Sequence, residues 1–440
     1  MSFNAPRLGC ARWQRTASAA HRVAQVALVA LIGVAASRVH GAPLTLDAAL
    51  RLAQDRSRQL PAQDASAAAS RQMAIAAGQR PDPTLKAGIN NLPIDGPDRF
   101  SLTRDFMTMR SIGVMQEFTR EGKLKARTAR FEREAEVAEA GRDLALANLR
   151  RDTAVAWLDR YYQESIRSLL VRQRNEAKLQ VEAAEVAYRS SRGSQVDVIA
   201  ARGAVAMIDD RIAQSDRQVL TAKTMLARWI GPAAGDPMDA LPATEVVPLQ
   251  PTGLDTQLAH HPAVAVLVKQ EEVAMAEADV ARASKQADWS LALMYSQRGP
   301  SYSNMVSINV SIPLQWDQRN RQDRDVSAKL ALADQARAQR EEMLRTHTAE
   351  AQVMLQEWQS NRERLVRYDE TLIALAGQRT QAAMTAYRGG SGTLTAVLDA
   401  RRNEIDTRIE RVKLEMETGR LWAQLNFLIP SDHPTRSARR

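Results

Sequence analysis

Residues 187–202 read AYRSSRGSQVDVIAAR, and residues 386–401 read AYRGGSGTLTAVLDAR. The two stretches align without a gap at an offset of 199, with seven of sixteen positions identical. In each copy a polar-rich helical pattern runs up to a tyrosine, Tyr188 or Tyr387. A Gly/Ser cluster breaks it, and a second helical pattern restarts after Ser194 or Thr393. Glycine takes the left-handed conformation that ends a helix, and Ser or Thr caps the next one. The stretch predicts a tight helix–turn–helix tip made twice, and a duplication of this length predicts a repeat extending through the chain.

The flanking sequence fits that expectation. Long helical patterns lead into the tips at 122–189 and 320–388, and shorter ones leave them at 194–230 and on to 428. The first long pattern has no Pro and only Gly141 inside it; at 1.5 Å per residue it spans ~100 Å. Two strand patterns precede each long helix, 84–92 and 109–118, then 290–297 and 305–314. In the last, Val306, Ile308, Val310, Ile312 and Leu314 alternate with Ser307, Asn309, Ser311 and Pro313, giving one apolar face. Each half opens on a helical pattern, 46–78 and 254–284, the second interrupted at His261-Pro262. The chain thus divides into a first repeat at 42–231, a Pro-rich linker at 232–251 and a second repeat at 252–430. In the second long helix, Leu344, Ala351, Trp358, Leu365 and Leu372 form one heptad column. His347, Met354, Asn361, Tyr368 and Leu375 form its partner, predicting a coiled-coil seam.

The N-terminus has a different character. Arg7, Arg12, Arg15 and Arg22 precede an apolar run at 23–36, and Val39-His40-Gly41-Ala42 follow it. The run is too short to span a bilayer, and the layout is that of a secretory signal peptide at 1–41. The one cysteine, Cys10, lies before the run, so neither a lipid anchor nor a disulfide framework is expected in the mature chain. The formal charge of +9 falls to +4 once the five arginines of 1–41 are removed, weak support for a nucleic-acid partner. The basic tail at 431–440 is read as solvated. Low aromatic content, few Gly and Pro and a mean hydropathy of −0.37 favour long helices and exclude a polytopic helical membrane protein.

Four strands cannot close a transmembrane barrel, and an open sheet in lipid leaves edge N–H and C=O groups unsatisfied at several kcal/mol each. If these strands span a membrane, several chains share the barrel; three chains give twelve strands, an even number. The expected fold is mainly α with a small β part: duplicated long-helix hairpins forming a trimeric helical barrel, continued by a shared 12-stranded outer-membrane β-barrel. Periodicity alone also allows two hairpins in a soluble α+β protein.

On these residues the chain resembles the TolC-like outer-membrane efflux channel family, over about 46–428. The family's tip pattern is Tyr, Gly three later, Ser/Thr six later and Asp nine later, then Val-Leu. Tyr387, Gly390, Thr393, Val397 and Leu398 match it, with Ala396 at the Asp position; Tyr188, Ser194, Asp197, Val198 and Ile199 match it, with Ser191 at the Gly position. The Asn-Pro signature of the family's first helix appears as His261-Pro262 and is lost at Arg56-Ser57. Gln116-Glu117-Phe118 with Gly122-Lys123-Leu124, and Ile312-Pro313-Leu314 with Arg319-Asn320, resemble the heavy-metal cation branch, although Thr119-Arg120-Glu121 replaces its Pro-Trp-Pro element.

The resemblance implies a homotrimeric, passive outer-membrane duct with a long periplasmic extension, served by an inner-membrane pump and a periplasmic adaptor. It implies a tip that meets the adaptor through Tyr188, Gly193, Ser194, Tyr387, Gly389, Gly390, Gly392 and Thr393. It also implies a pore constriction at Asp399, whose three copies would form an acidic ring; Asp197 could join it or pair with Arg202. Met107, Met109 and Met115 are candidate soft ligands for Cu(I) or Ag(I), or packing residues. His260-His261 is a candidate metal pair, and His347 on the seam is read as structural. No cofactor is expected, and no phosphate loop, nucleophile elbow or His-Glu-x-x-His spacing points to an enzyme. The alternatives are a periplasmic coiled-coil adaptor, which needs only one hairpin, and a secreted structural coiled coil, which leaves 305–314 unexplained.

Overall fold

The computed structural model describes residues 43–429; the expected signal segment with Cys10 and the basic tail lie outside them. In chain order, α1 (Leu46–Arg56), α2 (Gln59–Ala77), β1 (Thr84–Asn90), β2 (Met109–Phe118), α3 (Glu121–Arg189) and α4 (Gln195–Ile230) come first. There follow α5 (Leu254–Leu258), α6 (Pro262–Ala283), β3 (Trp289–Gln297), β4 (Met305–Ser311), α7 (Gln322–Arg367), α8 (Ile373–Arg388) and α9 (Leu394–Asn426). The second series repeats the first. β1 and β4 end two or three residues before the expected limits.

The opening helical pattern of the first half is two helices, not one. The chain extends at Ser57 (φ −59°, ψ 132°), and Ser57 Oγ accepts a hydrogen bond from Leu60 N–H at 3.4 Å. His261 makes the equivalent break in the second half: its backbone is extended, Pro262 takes the first helical position, and its Nδ1 accepts from Ala263 N–H at 3.1 Å. Proline is preorganised for that position, but a capping hydroxyl does the same without it.

The seam of α7 also departs from the heptad count. Ala351, Leu355 and Trp358 are buried, whereas Leu372 and Leu375 are 44% and 56% exposed. A π-helical turn, Tyr368–Leu372, joins α7 to α8. Its wider turn takes up one extra residue, so the seam resumes one position later, at half-buried Ile373 and Ala376 and buried Thr380. Asp369 in this turn accepts two hydrogen bonds from Arg411 of α9, at 2.8 and 3.1 Å.

The largest apolar core sits at mid-length of α3. Trp157, Leu158 and Tyr162 pack with Leu46 and Ala49 of α1, Leu226 and Ile230 of α4, Trp358 of α7, and Trp422 and Leu425 of α9. The Pro-rich segment after α4 straps this core rather than dangling. Trp157 Nε1 donates to Leu44 O (3.1 Å) and Trp422 Nε1 to Val246 O (2.9 Å). Arg160, only 1% exposed, donates to the carbonyls of Ala234 (2.8 Å) and Asp236 (2.6 Å) and to Glu164 (3.0 Å). A buried guanidinium is tolerable because its donors are filled this way.

Candidate functional site

The four strands form one antiparallel meander in the order β1-β2-β3-β4, with β2 and β3 joining the two halves. Side chains alternate across a strand, so the register sorts them. One face carries Leu85, Ala87 and Ile89, then Ile112 and Val114, then Leu291, Leu293 and Tyr295, then Val306, Ile308 and Val310. The other carries Lys86, Gly88 and Asn90, Ser111 and Gly113, Ser290, Ala292 and Ser296, Ser307, Asn309 and Ser311. The apolar face is the exposed one: Leu85 69%, Val114 49%, Leu293 54%, Ile308 70%. On β2 and β3 the small residues are covered, with Ser111 and Ser296 each 6% exposed, while the outer strands β1 and β4 are open on both faces. A soluble α+β domain turns its apolar face to a core; this sheet turns it outward.

Aromatic groups mark both ends of that apolar band. Phe118 and Trp289, paired in register, stack at 4.3 Å next to the helices, and Trp316 beyond β4 is 87% exposed. At the opposite end lie Tyr295, Phe100, Phe106 and Tyr302, all exposed. Such girdles sit at the two surfaces of a bilayer in transmembrane β-sheets. No helix among the described residues is long and apolar enough to cross a membrane. The outer strands, β1 and β4, each have one edge without a partner among the described residues. Where sheet meets helix, Lys123 Nζ binds Asp288 at 2.6 Å and Arg120 N–H donates to the same carboxylate at 3.1 Å, tying α3 to β3.

At the far end the two tips are built alike. Ser191 (φ 59°) and Gly390 (φ 75°) occupy equivalent left-handed positions. A Cβ on Gly193 or Gly392 would lie 3.0 Å from Ala187 Cβ or Ala386 Cβ, so a side chain there crowds the last turn of the preceding helix. Gly389 is an ordinary helix end, donating to Thr385 O at 2.9 Å. Thr393 caps α9 through Ala396 N–H at 3.2 Å. Ser194 and Asp197 form a reciprocal capping box: Asp197 N–H donates to Ser194 Oγ, and Asp197 Oδ2 accepts from Ser194 N–H, both at 3.1 Å. Arg202 pairs with Glu185 at 2.7 Å, not with Asp197. The tips touch: Ala184, Val198 and Ala201 pack with Leu394 and Val397, and Tyr387 is half-buried against them, while Tyr188 is 49% exposed. The left-handed conformation costs a non-glycine residue roughly 1 kcal/mol. Ser191→Gly relieves that strain but gives the unfolded chain more freedom, so a net gain of roughly half a kcal/mol is expected, read as a higher urea midpoint with unchanged slope.

Above the tips, α3, α4 and α9 leave a cleft of about 450 Å³ lined by Glu176, Arg211, Asp399, Arg401 and Arg402 among others. Asp399 is exposed on its wall. Ion pairs tie the two hairpins together around it: Arg211 to Asp406 at 2.7 Å and Arg401 to Glu176 at 3.5 Å. Glu404, 4% exposed, accepts from Arg401 (3.3 Å) and Arg408 (2.8 Å). Neither Glu404 nor Arg211 stands out in the sequence, where each is one charge among many on helical surfaces.

The histidines are arranged differently from the expected pair. His260 is exposed; His261 is buried, with its Nδ1 engaged as a cap and its ring 4.4 Å from that of His347. Burial, with help from His347 and Arg151, pushes the His261 pKa down to about 4. The folded chain keeps His261 neutral while the unfolded chain takes up a proton below 6.5, so its contribution is complete above pH 6.5 and is lost as the pH falls towards 4. His261→Asn keeps the cap and removes the titration. Thermal unfolding between pH 7 and pH 4 is expected to show a shallower loss of stability in the variant. Among the described residues no three His, Cys, Asp or Glu side chains gather as a metal site.

A family model described as outer membrane efflux protein matches residues 253–429. No curated protein matches the chain in sequence. Solved structures match it in fold. The outer membrane protein VceC from Vibrio cholerae superposes with a TM-score of 0.70 at 19% identity, over 87% of this chain and 95% of that one. CusC, whose crystal structures describe folding and transmembrane channel formation, gives 0.73 at 15%, over 88% and 92%. The outer-membrane channel OprN gives 0.72 at 17%, over 87% and 89%.

Proposed function

We infer that this chain, a TolC-like member of the outer membrane efflux protein family, is the outer-membrane duct of a tripartite efflux system. The observation that carries this is the inverted sheet: an exposed apolar face bounded by aromatics, a small-residue face on the inside, and two open edges. Edges left open in hydrocarbon cost several kcal/mol per unsatisfied group, so β1 of one protomer pairs with β4 of the next. Three copies close a twelve-stranded barrel, and α3, α4, α7, α8 and α9 continue it as a helical tube. A periplasmic adaptor meets the tips at Tyr188, Gly193, Ser194, Tyr387, Gly389, Gly390, Gly392 and Thr393, and an inner-membrane pump supplies the solute. The heavy-metal resemblance of 116–124 and 312–320 makes metal cations the favoured cargo. A periplasmic adaptor or a secreted coiled coil would have no use for an apolar sheet face turned to solvent.

In this assembly Asp399 lines the narrow end of the duct, and its three copies attract cations. Asp197 is engaged in its cap, so the acidic ring is assigned to Asp399 alone. The ion pairs Arg211–Asp406 and Arg401–Glu176 hold the two hairpins against each other at this level. The test is reconstitution into planar bilayers: the detergent-extracted protein is expected to run as a trimer and to give discrete conductance steps. A water-soluble monomer without conductance would overturn the assignment. Asp399→Ala is expected to weaken block by trivalent cations several-fold in the same recordings; unchanged block removes Asp399 from the constriction.

A further inference from the structure

We propose that Arg110 holds a phosphate of an outer-leaflet lipid headgroup against the barrel wall, with Gln297 and Tyr295 beside it. This rests on the assignment of the apolar face of the sheet to lipid. By alternation Arg110 shares that face with Ile112 and Val114, and it pairs in register with Ile89 and Gln297. It is the one charge there. Every other outward position of the four strands is apolar, aromatic or an uncharged amide, and Lys86 and Glu117 fall on the opposite face.

Arg110 stands at the end of β2 away from the helices. Phe118, in the aromatic row beside the helices, is eight positions further along the strand. At ~3.4 Å per residue and a tilt of ~40°, that distance covers ~20 Å of the height of an apolar band ~25 Å tall. A long side chain snorkels over the remainder, which brings the guanidinium to the level of the outer headgroups. The chain itself leaves the group unused. Arg110 is half-buried, and its Nε is buried without a hydrogen-bond partner. The ion pair at this end of the sheet, Arg104 with Asp98 at 3.7 Å, does not include it. Arg298, by contrast, donates through Nε to Phe106 O at 2.9 Å and lies over the Tyr302 ring. Strand addition does not cover Arg110 either: β2 lies between β1 and β3, out of reach of a protomer joined at the sheet edges. A fork of five donors in partly dry surroundings calls for an acceptor from outside.

The neighbours select a phosphate carried on a lipid. Gln297 is directly opposite Arg110, and Tyr295 is one diagonal step nearer the midplane, opposite Ile112. Diagonal neighbours are ~7–8 Å apart at Cα, within reach of long side chains. Both residues are exposed. An amide and a phenol add neutral donors, and no carboxylate stands on this face to repel an anion. The planar guanidinium takes two phosphate oxygens at once. Beyond Arg110 towards the midplane, Ile112, Val114 and Leu293 are each about half exposed and form a bed for acyl chains. A soluble anion would use only the first of these features; a phosphorylated lipid uses both.

The test uses the full chain, purified as the assembled protein in detergent, with bisphosphorylated lipid A as the probe and bound lipid counted by native mass spectrometry. The wild type is expected to bind lipid A roughly tenfold or more tightly than the same lipid stripped of its phosphates. Arg110→Gln is expected to lose that difference. Arg110→Lys is expected to keep part of it, since an ammonium supplies charge without the fork. Lys86→Gln, on the inner face, is expected to keep all of it. Inorganic phosphate at the same concentration as the lipid is expected not to displace it. Should Arg110→Gln not assemble, Arg110→Lys carries the comparison. Equal binding of the two lipids by the wild type, undiminished lipid A binding by the Arg110 variants, or displacement by inorganic phosphate overturns the proposal. Bilayer recordings on the same samples separate the two levels: normal conductance with binding indifferent to Arg110 sinks the site and leaves the duct, whereas Arg110-dependent lipid binding without conductance sinks the duct assignment.

Discussion

Replacing Ile308 with lysine is expected to abolish the heat-resistant trimer, whereas replacing its neighbour Asn309 with lysine is expected to leave it standing. Ile308 is 70% exposed at the middle of β4 and pairs with Leu293 at the middle of β3, so it lies at the centre of the apolar band. A lysine at the midplane of a membrane β-barrel costs about 2–4 kcal/mol, and three copies in one barrel multiply the penalty. Asn309 faces the opposite way, and a charge there meets water. The contrast also separates the competing architectures. On a soluble protein both positions are open to solvent, so Ile308→Lys would be harmless or would improve solubility. The measurement is the fraction of protein migrating as trimer without heating, after refolding into liposomes. Loss of trimer in both variants, or in neither, would contradict the face assignment.

The parts of this architecture that are local chemistry were legible beforehand. The tips are fixed by Gly193, Gly392, Ser194 and Thr393, residues whose backbone and capping roles act within a few positions, and their duplication exposed the repeat. β4 is legible down to its faces because its alternation is complete; β2 is legible as a strand at 109–118 but not in its faces, because Gly113 and Met115 blur the alternation and only the pairing register assigns them. The break at Ser57 was missed because no proline marks it. Arg160 could not be distinguished from the other basic residues, since its burial depends on carbonyls that arrive from the segment after α4. Asp197 runs the other way: its place in the family pattern points to the pore or to Arg202, whereas its Ser194-x-x-Asp197 spacing is a capping signature, and the cap is what it forms.

Deleting a single residue from the π turn is expected to be tolerated, although a deletion inside a long packed helix is ordinarily ruinous. Removing one residue from a helix rotates everything beyond it by about 100°, which carries the buried face to the outside. The π turn, Tyr368–Leu372, already holds one residue too many for an α-helix. Without Glu370 the chain from α7 to α8 has the length of a regular helix, and Ile373, Ala376 and Thr380 stay on the seam that Trp358 and Leu365 define. The matched control is deletion of Arg172 in α3, at nearly the equivalent height in the first half, where the helix is uninterrupted. That change turns Ala177 and Ala184 out of the clusters they form with Ile208, Ile405, Val198 and Leu394. A loss of about 4 kcal/mol or more follows, in the range reserved for single changes that disrupt a packed core. Thermal unfolding of the two deletion variants decides the matter. The Glu370 deletion should unfold within a few degrees of the parent, and the Arg172 deletion should fail to reach a folded trimer. If the two are equally damaging, the extra residue is not what moved Leu372 and Leu375 off the seam. The same experiment bears on the gate. Asp369, inside the turn, grips Arg411 of α9, so the turn is where the second hairpin is pinned to its partner helix. A Glu370 deletion that folds normally yet conducts more freely would place the resistance to opening in the wound π turn and its Arg411 contact.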